Sequence, residues 1–152
     1  MYMRKIIIMF LMLVASLTVS AQTGLKINEL FQGRIIPQER MMETRVRGKS
    51  IAKYQLSYYR SLRLNVTSEE AGQVRALLGK DAEQSVDMRT SRKNPHRWDT
   101  WTCKLQMPSA AGKNRYVCYQ EQFDKQHEKC ELTVIYMEGS VDSLEKLEEL
   151  LK

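Results

Sequence analysis

Trp101-Thr102-Cys103-Lys104-Leu105-Gln106-Met107 is the stretch that decides the fold. Apolar side chains at 101, 103, 105 and 107 alternate with Thr102, Lys104 and Gln106. That period of two is the mark of a strand with one buried face. Downstream, Pro108 to Asn114 is rich in small residues and glycine and reads as a hairpin loop. On the return arm Tyr116 and Cys118 alternate with Val117 and Tyr119, and Asp124 to Lys129 forms a second polar loop. Leu132, Val134 and Tyr136 on one face, with Thr133, Ile135 and Met137 on the other, make a last strand apolar enough to be central. Upstream, Val86 and Met88 mark a strand that ends in a polar turn from Thr90 to Arg97. Four successive strands with short connections imply an antiparallel meander.

Further out, Thr67-Ser68-Glu69-Glu70 forms a capping box, in which a hydroxyl and a carboxylate satisfy each other's backbone amides. The helix it opens lines up Ala71, Val74, Leu77 and Leu78, with Gly79 and Lys80 toward its exit. A terminal helix places Val141, Leu144, Leu147 and Leu151 on one stripe and turns Glu145, Glu148 and Glu149 to water. Near the start, Leu25 to Phe31 reads as a short helix, and Met42, Thr44 and Val46 read as the buried face of a strand. Residues 49–66 satisfy both periods in part and read as a helical turn followed by a strand from about 56 to 66. The expected fold is α+β: one antiparallel sheet of five to six strands with two main helices packed on one face.

The first 21 residues read as an export signal. Arg4 and Lys5 supply the positive start, Ile6 to Val14 the apolar centre, and Val19-Ser20-Ala21 the small side chains needed before a cut at Gln22. The greasy run from Ile6 to Val19 is 14 residues, short of the roughly 20 that span a bilayer. No cysteine at the cut offers a lipid attachment point. The expectation is a cleaved signal over 1–21, a single α+β domain over 22–152, a periplasmic or secreted location and no transmembrane anchor. Without Arg4 and Lys5, 22 basic residues face 18 acidic ones. The charge is lopsided: Arg34 to Lys104 holds 15 basic and 8 acidic residues, and Leu105 to Lys152 holds 6 and 9. That basic middle, residues 34–104, supports a reading as a polyanion or membrane-surface binder, while solvated strand faces explain the same charges. Nucleic acid is not an expected partner of an exported chain.

An oxidising compartment makes Cys103, Cys118 and Cys130 a disulfide question. Cys103 and Cys118 sit on the two arms of one hairpin and are the expected pair, closing a loop of about 15 residues for roughly 3 kcal/mol. Catalytic signatures are missing: no G-x-S-x-G elbow, no H-E-x-x-H helix, no phosphate loop and no C-x-x-C pair occur. No catalytic residue, metal or cofactor is therefore assigned. Asp124, His127 and Cys130 at a spacing of three allow a zinc or activated-thiol reading, but the spacing is unspecific and a solvated loop before a strand explains the same residues better. A partner or glycan surface is better suggested by His96, Arg97 and Trp98 in their polar turn. Tyr59, Arg60 and Arg63, where aromatic and basic side chains interleave, add to it.

The signal ending in Ala21-Gln22, the Tyr58-Tyr59-Arg60-Ser61-Leu62 strand and the closing Leu132 to Gly139 strand before an acidic helix resemble small exported proteins of uncharacterised families from Gram-negative bacteria. The resemblance implies export and one α+β domain, and it transfers no catalytic residue. The functional expectation is a non-catalytic protein that binds an envelope protein or a polysaccharide. The alternatives are a small periplasmic hydrolase or thiol enzyme using Cys130, His127 or His96, and the polyanion or membrane-surface binder.

Overall fold

The alternation at 101–107 resolves into the longest strand of a six-stranded sheet. The computed structural model describes Gln22 and residues 24–152, so the export signal expected over 1–21 lies outside the described residues. In chain order come α1 (Asn28–Phe31), β1 (Met42–Arg47), β2 (Leu56–Val66), α2 (Ser68–Glu83), β3 (Asp87–Lys93), β4 (Trp98–Ala110), β5 (Lys113–Asp124), β6 (Lys129–Gly139) and α3 (Leu144–Leu150). A 3-10 turn at Lys49–Tyr54 precedes β2, as expected of that ambiguous stretch. The sheet runs β1-β2-β6-β5-β4-β3 with every neighbour antiparallel. Strands β3 to β6 are the expected meander, and the β2–β6 ladder, with Leu62 opposite Val134, joins it to the β1–β2 pair.

One face of this sheet, the filled face, is built from the apolar alternation. Leu105 and Met107 of β4, Val117 and Tyr119 of β5, and Leu132, Val134 and Tyr136 of β6 are buried there. Ala71, Val74, Leu77 and Leu78 of α2 cover them, together with Leu25, Ile27, Leu30, Phe31 and Ile36 from the N-terminal segment. Each fully buried aliphatic or aromatic side chain contributes about 1.5–3 kcal/mol of transfer free energy. The start of α2 is the expected capping box, with Thr67 Oγ1 accepting from Glu70 N at 3.2 Å and Glu70 Oε1 from Thr67 N at 3.0 Å. Arg40 pairs with Glu70 at 2.6 Å and holds its carboxyl down at about 2. Near the other end of α2, buried Asp81 accepts from the amides of Lys26 and Ile27 at 2.7 and 2.8 Å. The N-terminal segment is thereby tied to the helix. Burial pushes the Asp81 carboxyl upward despite those two bonds.

Three expectations are corrected. The two main helices do not share a face: Leu144 and Leu147 of α3 cluster with Leu56, Tyr116, Met137 and Val141. Tyr116 and Met137 alternate with Val117 and Tyr136, which belong to the filled face. The crossover lies at the end of β6, where Gly139 passes so close to β2 that an added Cβ would stand 2.2 Å from the Gln55 carbonyl oxygen. Ser140 and Val141 donate their amides to that same oxygen, and the Tyr116 hydroxyl donates to the Val141 carbonyl at 2.5 Å. The chain is thus led onto the second face before α3 begins.

Met42, Thr44 and Val46 do not form a buried face. Register places them beside Arg63, Ser61 and Tyr59 on the second face at the sheet edge, with Met42 74% exposed. A period of two reveals the pleat of a strand and not which side is covered.

The third correction concerns the cysteines, all of which are free thiols. Cys103 stands opposite Tyr119, and Cys118 opposite Lys104, so one residue of register sends the two thiols to opposite faces. The irregularity between Met107 and Ala110 sets that register and is not visible in loop length alone.

Candidate functional site

The second face is closed by α3 at one end and open over the rest, and its strand positions carry a distinct chemistry. Register aligns Ser91, Thr102, Gln120, Thr133 and Arg63 as one row across five strands. A second row runs Thr100, Gln122, Glu131 and Asn65. Between the first row and α3 lies Lys104, Cys118, Ile135 and Ser61, followed by Tyr116, Met137 and Tyr59 under the helix. The face therefore grades from apolar beside α3 to hydroxyl and amide groups away from it.

Two concavities follow this gradient. A groove of about 380 Å³ beside α3 is lined by Tyr59, Thr102, Cys118, Gln120, Thr133, Ile135 and Leu151 among others. A cleft of about 340 Å³ lies further along, between Trp98, Arg63, Asn65, Gln122, Asp124, Lys129 and Glu131. Trp98 is 38% exposed at the end of the face. The Arg97 guanidinium lies 4.8 Å from its ring centroid, a contact that restrains the ring.

Two turns clasp each other behind that ring. Arg97 donates through Nε and Nη2 to the two carboxylate oxygens of Asp124 at 2.9 and 2.5 Å. His127 Nδ1 lies 2.9 Å from Asp124 Oδ2, and the amides of Gln126 and His127 also point at Asp124. The hydrogen bonds from Arg97, then from His127 and the two amides, hold the Asp124 carboxyl far below the ordinary carboxylate range. Lys125 donates its amide to the Arg97 carbonyl at 2.9 Å and its ammonium to the His96 carbonyl and to Asn94. The β3–β4 and β5–β6 turns are thus cross-braced.

Of the residues singled out in the sequence, Arg63 and Trp98 line one cleft of the open face, and Tyr59 lines the separate groove beside α3. Arg97 sits behind Trp98 in the clasp. His96 lies in the turn with a left-handed φ of 44° and offers its carbonyl rather than its ring to the clasp. Arg60 is corrected: it points to the filled face, 9% exposed, where it pairs with Glu43 at 2.5 Å and donates to the Phe31 carbonyl at 3.1 Å. Its odd-numbered neighbours Tyr59 and Ser61 alternate to the open side. Thr102, Gln120, Gln122, Thr133 and Asn65 escaped the sequence reading because polar strand positions read as solvent. The usable signal was their composition, since hydroxyls and amides occupy positions where an ordinary solvated face carries Lys and Glu.

Burial pushes the Cys118 thiol to about 12 and Cys130 to about 11, and it raises Cys103 as well. Thiols so shifted stay protonated and are poor nucleophiles. Asp124 and Cys130 face opposite sides, because Cys130 is registered with Phe123 and Lys129 with Asp124. Among the described residues no group of three His, Cys, Asp or Glu side chains is placed to hold a metal ion. The basic stretch is largely matched internally by Arg40–Glu70, Arg60–Glu43, Arg92–Asp99, Arg97–Asp124 and Lys104–Glu148. A third cavity, about 220 Å³ beside Trp101, is lined by charges that already pair as Arg92–Asp99 and Arg75–Glu121. No helix among the described residues is long and apolar enough to cross a membrane.

The chain belongs to the Family of unknown function (DUF6108), whose model matches residues 14–151. No curated protein and no solved structure matches it.

Proposed function

We propose that this chain is an exported, non-catalytic binding protein that holds a glycan of the cell envelope against the open face of its sheet. The observation that supports this most is the row of Thr102, Gln120 and Thr133 between Tyr59 on one side and Trp98 on the other. Sugars present hydroxyls along their rims and C–H groups on their faces. Amide and hydroxyl side chains can exchange hydrogen bonds with the former, and an aromatic ring packs against the latter. A rigid sheet positions such groups without the ordering cost that a loop would add on binding. The reading of residues 1–21 as an export signal supports a location in the periplasm or outside the cell.

A protein partner in the envelope is the second reading. It is favoured by Met42, Val86 and Met88, exposed at 74%, 66% and 53% along the two sheet edges. Unpaired edges are templates for strand addition.

The test is a fluorescence titration with size-fractionated oligosaccharides released from the bacterial envelope. The expected result is a saturable change in tryptophan emission that Trp98→Ala weakens at least about tenfold, the equivalent of roughly 1.4 kcal/mol. That variant should keep its melting temperature. An undiminished response in Trp98→Ala removes the cleft from the binding site. A silent titration, coupled with protection of the β1 and β3 edges by a protein, replaces the first reading with the second.

A further inference from the structure

Gln22 directly follows the Val19-Ser20-Ala21 run at which the export signal is cut. For a residue that would begin the mature chain, it sits in an unusual place. It is 2% exposed, its carbonyl accepts from the Leu25 amide at 3.3 Å, and its Oε1 accepts from Arg60 Nη1 at 3.4 Å. Arg60 is itself buried, with its guanidinium 4.8 Å from the centroid of the Phe31 ring. The carboxylate nearest to it, Glu43, is shared with Arg45 at 2.6 Å. A cut before Gln22 brings a terminal ammonium into this same small region. The terminal ammonium would then stand near the Arg60 guanidinium, whose carboxylate partner is already divided between two arginines, an arrangement that disfavours the charged amine.

We infer that Gln22 is a modification site, closing to pyroglutamate in the mature protein. The uncharged α-nitrogen attacks Cδ of its own side chain and forms a C–N bond in a five-membered ring. The Cδ–Nε2 bond breaks, and the departing nitrogen takes up the amine proton and leaves as ammonia. No oxidant, reductant or second substrate is consumed. The ring carbonyl is the former Cδ–Oε1 group, so the hydrogen bond from Arg60 is retained while the terminal positive charge disappears. The lactam thereby seals the N-terminal segment onto the filled face beside Phe31.

This inference rests on the export reading proposed above, and one mass measurement separates the two. The full-length chain is expressed in an exporting bacterium and the released protein is weighed intact. The expected mass is that of residues 22–152 less one ammonia. N-terminal sequencing should be blocked until pyroglutamyl aminopeptidase acts on denatured protein, after which it reads Thr23-Gly24. A chain cut at Gln22 that keeps a free amine after prolonged folding overturns the cyclisation and leaves export standing. A chain that retains residues before Gln22 overturns both. Gln22→Ala, exported and cut in the same way, tests the docking: it should melt lower by about 4 °C. Equal melting temperatures for the two proteins would show that Arg60 does not hold the ring.

Discussion

The two faces of the sheet are made by the same six strands, residue by residue in alternation, and yet they differ in nearly every physical respect. On the filled face Leu105, Val117 and Val134 are fully buried beneath α2 and the N-terminal segment. Three residues along β4 and β5 and one along β6, Thr102 and Thr133 are half-buried and Gln120 is exposed, all outside the apolar clusters. Burying an aliphatic side chain is favourable wherever water is excluded. Burying a hydroxyl or amide is costly without a partner, so a face built from them has to remain open or be covered by a ligand that satisfies it. Under the proposed glycan-binding role, stability and recognition divide between alternating positions along β4, β5 and β6.

The largest test of that division uses near neighbours in one strand. Leu105→Ala should cost about 3 kcal/mol in urea unfolding, because the site is fully buried and cannot readily collapse. Thr102→Ala should stay within about 0.5 kcal/mol of the parent while weakening glycan binding. Equal losses of stability would mean that the open face is packed after all. Asp81→Ala comes next. It strands the Lys26 and Ile27 amides beneath the N-terminal segment and should cost about 2–3 kcal/mol. The loss should be accompanied by faster amide exchange across residues 24–36. The smallest effect lies at the far end of the open face. Asp124 has a depressed carboxyl, so its pairing stabilises the folded protein above the ordinary carboxylate range near 4 and is lost as pH falls through the lower folded value. Asp124→Asn should flatten that acid limb of the melting curve and loosen the clasp behind Trp98. An unchanged acid limb would remove Asp124 from the account.

The sequence carried most of this scaffold in its periodicities. The alternation at 101–107 and 132–137, the capping box at Thr67 and the stripe through Leu144 and Leu147 each matched an element. What it did not carry was sidedness. Nothing in residues 139–141 announces that α3 crosses to the other face, since that outcome depends on the Gln55 carbonyl, more than eighty residues away in the chain. The same limit misassigned Cys103 with Cys118, because a bulge shifted register by one position. At the candidate site, the aromatic and basic residues Tyr59, Arg63 and Trp98 stood out by type. The amides and hydroxyls between them are ordinary one at a time and acquire meaning only as a row across separate strands.

The β2–β6 ladder also governs the order in which the molecule assembles. The meander from β3 to β6 closes short loops, whereas pairing Leu62 with Val134 joins segments 72 residues apart and bears the corresponding closure entropy. The expected sequence of events is meander first and seam last. Leu62→Ala should then act mainly by accelerating unfolding, and Leu105→Ala mainly by slowing refolding, a contrast that stopped-flow measurement in urea resolves. If both substitutions alter the two rates in the same proportion, the sheet condenses as a unit and the seam is no later than the rest.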